Sequence, residues 1–154
     1  MIIQQHAYLQ KFLEDAQENI NLVETCYPID GSTALKLSEP SLPLSSEEGH
    51  RYRSYLMTIY YMALRTRPDI LLACAMLSTK ASCPSVMDWE NLSKLVCYLW
   101  TNPMVVLTYS KWSQDKIELF IDASWSLYED SKGQTGGVIK LFGNSIMESG
   151  SLVL

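Results

Sequence analysis

Residues 117–143 read IELFIDASWSLYEDSKGQTGGVIKLFG. Ile117–Ile121 is short and rich in β-forming residues, and it delivers one carboxylate, Asp122, at its end. A polar link follows, then a second apolar run, Val138–Phe142, opening on Gly136-Gly137. Two such runs separated by turn-forming residues read as neighbouring antiparallel strands. Val105–Tyr109 has the same character upstream, and Ser145–Leu154 supplies one more strand downstream. No helical pattern follows to cover the apolar face of this meander, so a partner or self-association through that face is expected.

Working back from the strands, the chain turns helical. Leu92, Leu95, Val96, Leu99 and Trp100 repeat at i, i+3 and i+4 between Ser85 and the stop at Asn102-Pro103. Leu71, Leu72, Ala75 and Met76 form the stripe of a preceding helix that Pro68 opens, with Thr66 as a candidate cap, and that Pro84 breaks. Before it, Tyr52, Leu56, Ile59, Tyr60, Ala63 and Leu64 make one face of a helix started by Ser45 or Ser46. Glu47 and Glu48 in its first turn suit the positive end of the dipole. Residues 25–46, with Pro28, Gly31, Pro40, Pro43 and several serines, have no periodicity and read as an extended connector. Leu9, Phe12, Leu13 and Ala16 predict one more amphipathic helix near the N-terminus, over residues about 4–18. The expected fold class is α+β, in four segments: 1–24, 25–46, a helical cluster over 47–103, and a β-meander over 104–154.

Composition narrows the function classes. Hydrophobic residues make up 47% of the 154 and charged residues 19%, enough to bury a core. Apolar runs such as Leu71–Leu77 fall far short of the roughly 20 residues of a membrane span. No basic segment followed by an apolar core stands at the N-terminus, so the expectation is a cytoplasmic or nuclear protein that is not secreted. Cys26, Cys74, Cys83 and Cys97 are scattered, and His6 and His50 stand alone, which rejects a zinc site and predicts reduced, mostly buried thiols. Asn91-Leu92-Ser93 matches a glycosylation sequon that stays idle without export.

The net charge of −5 argues against a nucleic-acid partner, but its distribution does not. Residues 1–50 carry two bases and eight acids, whereas 51–80 carry Arg51, Arg53, Arg65, Arg67 and Lys80 against Asp69 alone. A basic segment of this kind can follow a phosphate backbone. Solvated arginines at helix ends explain it equally well, and Arg67-Pro68-Asp69 also reads as a helix-start device.

An ordered set of short words marks the helical block: Tyr52-Arg53-Ser54, Arg65-Thr66-Arg67-Pro68-Asp69-Ile70, Ser82-Cys83-Pro84, Trp89, Leu92, Lys94 and Tyr98-Leu99. Together these closely resemble the polymerase of copia-type LTR retrotransposons, in the region after the reverse-transcriptase catalytic core. Gln5, Tyr8, Leu13, Val23-Glu24-Thr25 and Cys26-Tyr27-Pro28 are similar to the segment leading out of that core. Phe120-Ile121-Asp122-Ala123-Ser124-Trp125, Asp130, Lys132 and Thr135-Gly136-Gly137 resemble the start of the ribonuclease H domain of the same polyprotein.

The resemblance implies RNA-templated DNA synthesis and degradation of the RNA strand of the hybrid. Residues 1–24 then end the reverse-transcriptase core, 47–103 form a thumb-like region gripping a primer–template duplex or RNA–DNA hybrid, and 104–154 begin an incomplete ribonuclease H meander. Arg51, Arg53, Arg65 and Arg67 would neutralise phosphates without reading sequence. Ribonuclease H cleavage, as the resemblance implies it, uses two Mg²⁺ ions roughly 3.5–4 Å apart, held by several carboxylates. Asp122 matches the first of these acids as catalytic residue and metal ligand. The Ser-rich, Glu-containing word that supplies the second does not occur, and Glu129, Asp130 and Glu148 sit in no matching motif. The Tyr-x-Asp-Asp word of the polymerase site would lie upstream of Met1. The expectation is therefore a fragment inactive alone in both reactions, with no stably bound Mg²⁺. A hybrid-binding module and a recruited structural or protein-interaction fragment are the alternatives.

Overall fold

The computed structural model describes residues 2–29, 41–105, 107–109, 116–124, 133–141 and 143–153. The order of elements is β1 (Ile2–Ile3), α1 (His6–Ala16), α2 (Ser46–Ala63), a 3-10 turn (Pro68–Ile70), α3 (Leu71–Ser78), α4 (Val86–Thr101), β2 (Leu107–Thr108), β3 (Ile117–Ser124), β4 (Gly133–Leu141) and β5 (Asn144–Val153). The fold class is α+β, as the patterning predicts. Half of the connector, residues 30–40, lies outside the described residues, as do Trp125, Glu129, Asp130 and Lys132.

Two compact units result: Gln5–Val105, and Met1–Gln4 with Val106–Leu154. The first holds all the described helices. α1 joins the same core as the later helices: Leu9, Phe12, Ala16 and Ile20 pack with Leu56, Ile59, Leu92, Leu95 and Leu99. Each fully buried aliphatic side chain contributes about 1.5–3 kcal/mol, which short helices need because they are marginal alone. Tyr55 is the hub, with its ring edge-on to Phe12 at 5.4 Å and tilted against Trp89 at 6.0 Å. Its hydroxyl accepts from Asn19 and donates to the Asp15 carbonyl. Tyr52 ties α2 to α3 by donating to the Leu77 carbonyl at 2.8 Å.

Helix starts follow the sequence signals at two sites. Ser45 caps α2 and forms a reciprocal box with Glu48, whose carboxyl is held below its ordinary range first by the Ser45 side chain. Ser85 and Asp88 repeat the device at α4. Thr66 does not cap. It is buried, and its hydroxyl bonds Gln5 at 2.9 Å, leaving Arg67 at the cap position of the Pro68 turn. Nor does Pro84 break α3, which ends at Ser78. The connector residues just before α2 lie beside the start of α4: Leu44 donates to the Pro84 carbonyl, and Val86 donates to the Leu42 carbonyl.

The cysteines are free, but only Cys74 and Cys97 are buried; Cys26 and Cys83 are exposed, against the expectation of mostly buried thiols. Burial, then the charge of Asp69, pushes the Cys74 thiol up to about 12. Asn91 of the sequon is 2% exposed, which withholds it from any glycosylating enzyme in the folded chain. Its side-chain nitrogen and oxygen are buried with no hydrogen-bond partner. Two unpaired amide atoms in a core carry a desolvation cost without compensation, and leucine has the same branched outline without that cost, its bulkier methyl groups offsetting part of the gain. Asn91→Leu is expected to raise unfolding stability by about 1–2 kcal/mol, read as a higher urea midpoint at unchanged slope; a lower midpoint would show that the amide is satisfied.

The second unit contains two small sheets. β3, β4 and β5 form an antiparallel three-stranded meander in sequence order. Ile117 pairs with Leu141 and Ser124 with Gln134, without irregularity. Just ahead of β5, Gly143 takes φ 81°, a left-handed conformation that side chains with a Cβ rarely adopt. Between Ile139 and Lys140 the β4–β5 register slips, leaving Ile146 of β5 unpaired as a bulge. The stretch Val105–Tyr109 does not extend the meander. Its Leu107–Thr108 pairs antiparallel with Ile2–Ile3 in a separate two-stranded sheet.

Candidate functional site

Asp122 stands in β3 opposite Gly136, two residues short of the strand end rather than at it, because the pairing continues to Ser124. Its side chain is exposed, and Oδ1 accepts the backbone N–H of Ala123 at 2.9 Å. Glu148 pairs with Val138 across β4 and β5, two register rows away from the Asp122–Gly136–Gly150 row. Among the described residues no group of three His, Cys, Asp or Glu side chains comes together. Mg²⁺ needs several hard oxygen ligands in near-octahedral array, so one exposed carboxylate that also bonds its own backbone does not fit that ion.

The four arginines do not act as a group. Arg51 lies in α2 and pairs with Glu47 one turn earlier at 3.3 Å, a half-exposed contact of the kind that contributes a few tenths of a kcal/mol. Arg53 points elsewhere around the helix and donates to the Ala81 carbonyl at 3.3 Å. Arg65 lies just beyond the end of α2, exposed, with its guanidinium 5.7 Å from the centre of the Tyr61 ring. At 1.5 Å per residue it is roughly 20 Å along the helix from Arg51. Together Arg51, Arg53 and Arg65 can offer scattered phosphate contacts.

Arg67 is a correction to the set. It is 3% exposed. Nε and Nη2 fork onto Asp69 at 2.9 and 2.8 Å, and Nη1 donates to the Asn102 carbonyl at 3.0 Å. The guanidinium also lies 5.8 Å from the centre of the Tyr98 ring. Tyr98 donates its hydroxyl to Asp69 at 3.1 Å, and burial followed by the Asp69 charge keeps that hydroxyl's pKa raised. This cluster locks the 3-10 turn to the C-terminal end of α4. Three of its five N–H groups are spent on these acceptors, and burial withholds the guanidinium from a phosphate. The Arg-Pro-Asp spacing carried the signal, as a helix-start device; the contributions of Tyr98 and Asn102 had none in the local sequence.

Three relatives bear on this arrangement. The secreted RxLR effector protein 161 of Plasmopara viticola is 30% identical over 96 residues, spanning 62% of this chain and 68% of that protein. The chain belongs to the family of that protein. An uncharacterized mitochondrial protein of Arabidopsis thaliana is 23% identical over 137 residues, which cover 89% of this chain and 56% of that one. A putative transposon Ty5-1 protein of Saccharomyces cerevisiae is 29% identical over 90 residues, 58% of this chain and 29% of the yeast protein. The chain thus spans little more than half of the second relative and under a third of the third. This distant similarity supports a retrotransposon-derived polyprotein as its source. No protein-family model matches the chain, and no solved structure does. Among the described residues no helix is long and apolar enough to cross a membrane.

Proposed function

We propose that this chain is a piece of a copia-type retrotransposon polymerase, with no turnover of its own and a weak, sequence-independent affinity for RNA–DNA hybrid. The ordered words from Tyr52-Arg53-Ser54 to Phe120-Ile121-Asp122 carry the reading, and the transposon relative supports it. In this reading the helical unit serves as the thumb-like grip. The antiparallel meander with Asp122 on its first strand is the opening of a ribonuclease H sheet. Arg65, Arg51 and Arg53 supply the phosphate contacts; Arg67 does not, because it holds the fold.

Chemistry is a separate matter from affinity. Two-metal hydrolysis needs carboxylates on both sides of the ion pair, and the chain offers Asp122 alone in a matching motif. The 154 residues contain no Asp-Asp pair of the kind the polymerase site uses. The test is binding of a fluorescent RNA–DNA hybrid across a salt series, with cleavage and primer extension followed in Mg²⁺. Affinity should fall steeply with salt, and Arg65→Gln should lower the log–log salt slope by about 1. Neither substrate should turn over. Salt-insensitive or absent binding would remove the hybrid-binding role, and cleavage abolished by Asp122→Asn would overturn the inactive reading.

A further inference from the structure

β3 is an edge strand among the described residues, since β4 is its one partner in the meander. The side chains beside this edge are unusually apolar for solvent: Ile117 is 71% exposed, Leu119 60% and Ile121 72%. They alternate with Glu118, Phe120 and Asp122, and therefore share one face of the sheet. Ile139 and Leu141 lie on the same face, opposite Leu119 and Ile117. The two edges of the meander differ. β5 carries the bulge at Ile146, a device that spoils a strand for further pairing, whereas β3 pairs through all eight residues without a break. A long, regular, aliphatic edge of this kind is a template for another strand.

We propose that the free edge of β3 pairs antiparallel with the β3 edge of a second copy, with Leu119 on the two-fold axis. The charges along the strand select both the partner and the register. An isologous antiparallel pair places residue i opposite residue j, and j opposite i, on the same face. Centring on Leu119 sets Ile117 opposite Ile121 and Lys116 opposite Asp122, each twice. A register centred on Phe120 instead opposes Glu118 to Asp122 twice, a like-charge contact that destabilises. A register centred on Ile121 leaves Lys116 without Asp122 as its cross-strand partner. Only the Leu119 register is both apolar on one face and charge-complementary at its ends.

Lys116 is already placed for this role. Its ammonium meets Glu118 of its own chain at 2.8 Å while its side chain is 59% exposed. The pairing makes one six-stranded sheet in which Ile139, Leu119, Leu119 and Ile139 form a continuous central row. The interface is separate from the arginines assigned to hybrid binding, so either proposal can fail alone.

Sedimentation equilibrium of the full chain at rising concentration tests it. The wild type should dimerise reversibly in the micromolar range. Lys116→Asp and Asp122→Lys should each weaken the dimer by about tenfold, since attraction becomes repulsion at two symmetric places. Mixing the two single variants should restore pairing, because every cross-strand contact is then again between opposite charges. The double reversal in one chain should do the same, with circular dichroism showing each variant folded. A monomeric wild type overturns the proposal. So does an Asp122→Lys chain that dimerises more tightly, the result the Phe120 register gives, or a mixture of folded single variants that stays monomeric.

Discussion

Asp69→Ala should destabilise the helical unit by about 3 kcal/mol, the cost of leaving a buried charge without its partner. Arg67 is 3% exposed and cannot turn out to water without opening the junction between the Pro68 turn and α4. With Asp69 gone, its guanidinium keeps only the Asn102 carbonyl and the face of Tyr98, and the Tyr98 hydroxyl loses its acceptor. Because the Asp69 side chain is itself 23% exposed, water offsets part of the loss, which places the expectation at the lower end of the range for broken buried pairs. For a unit of this size the effect is a fall in melting temperature of roughly 10–20 °C. Arg67→Met combined with Asp69→Ala should recover most of it, since an apolar pair of similar volume has no desolvation to offset. Thermal unfolding followed by circular dichroism measures both. A loss under about 1 kcal/mol for Asp69→Ala would mean that the fork contributes little. The double variant should also bind hybrid with an unchanged salt slope, in contrast to Arg65→Gln.

That contrast shows where sequence reading reaches its limit. Arg51, Arg53, Arg65 and Arg67 look alike in a charge count, because such a count cannot tell a guanidinium in solvent from one spent on a carboxylate. Helix starts were legible where the cap and its reciprocal acid lie three residues apart, as at Ser45 and Glu48 or Ser85 and Asp88. Thr66 misled for the same reason in reverse: its hydroxyl answers Gln5, far away in the chain. The strands were legible as runs, but their partners were not. The short β1–β2 pair joins Ile2–Ile3 to Leu107–Thr108 across most of the sequence, and no local pattern specifies such a contact. Asp122 looked like a strand-end acid because β-propensity fades at Ala123-Ser124, whereas the β4 backbone carries the pairing on.

The place of α1 is the other feature that local patterning left open, and Phe12→Ala is its sharpest test. The amphipathic stripe predicts the helix but not its partner. In the fold Phe12 is 7% exposed and edge-on to Tyr55, which in turn leans on Trp89 of α4. Removing a buried aromatic ring typically costs 3–5 kcal/mol, through lost transfer energy and the cavity it leaves. Here the cavity opens at the meeting point of three helices. Asn19 and Asp15 also lose the fixed Tyr55 hydroxyl that they both bond. The expected loss is about 3–4 kcal/mol, seen as one cooperative transition at a much lower denaturant midpoint. Were residues 1–24 a separate element resting on the others, α1 would melt alone and the remaining helices would keep their midpoint. With Trp112 and Trp125 replaced by phenylalanine, fluorescence of Trp89 and Trp100 reports on α4, and far-ultraviolet circular dichroism reports on all the helices. The integrated core requires the two signals to shift together. A dichroism change at low denaturant that leaves the tryptophan transition in place would detach α1 from that core.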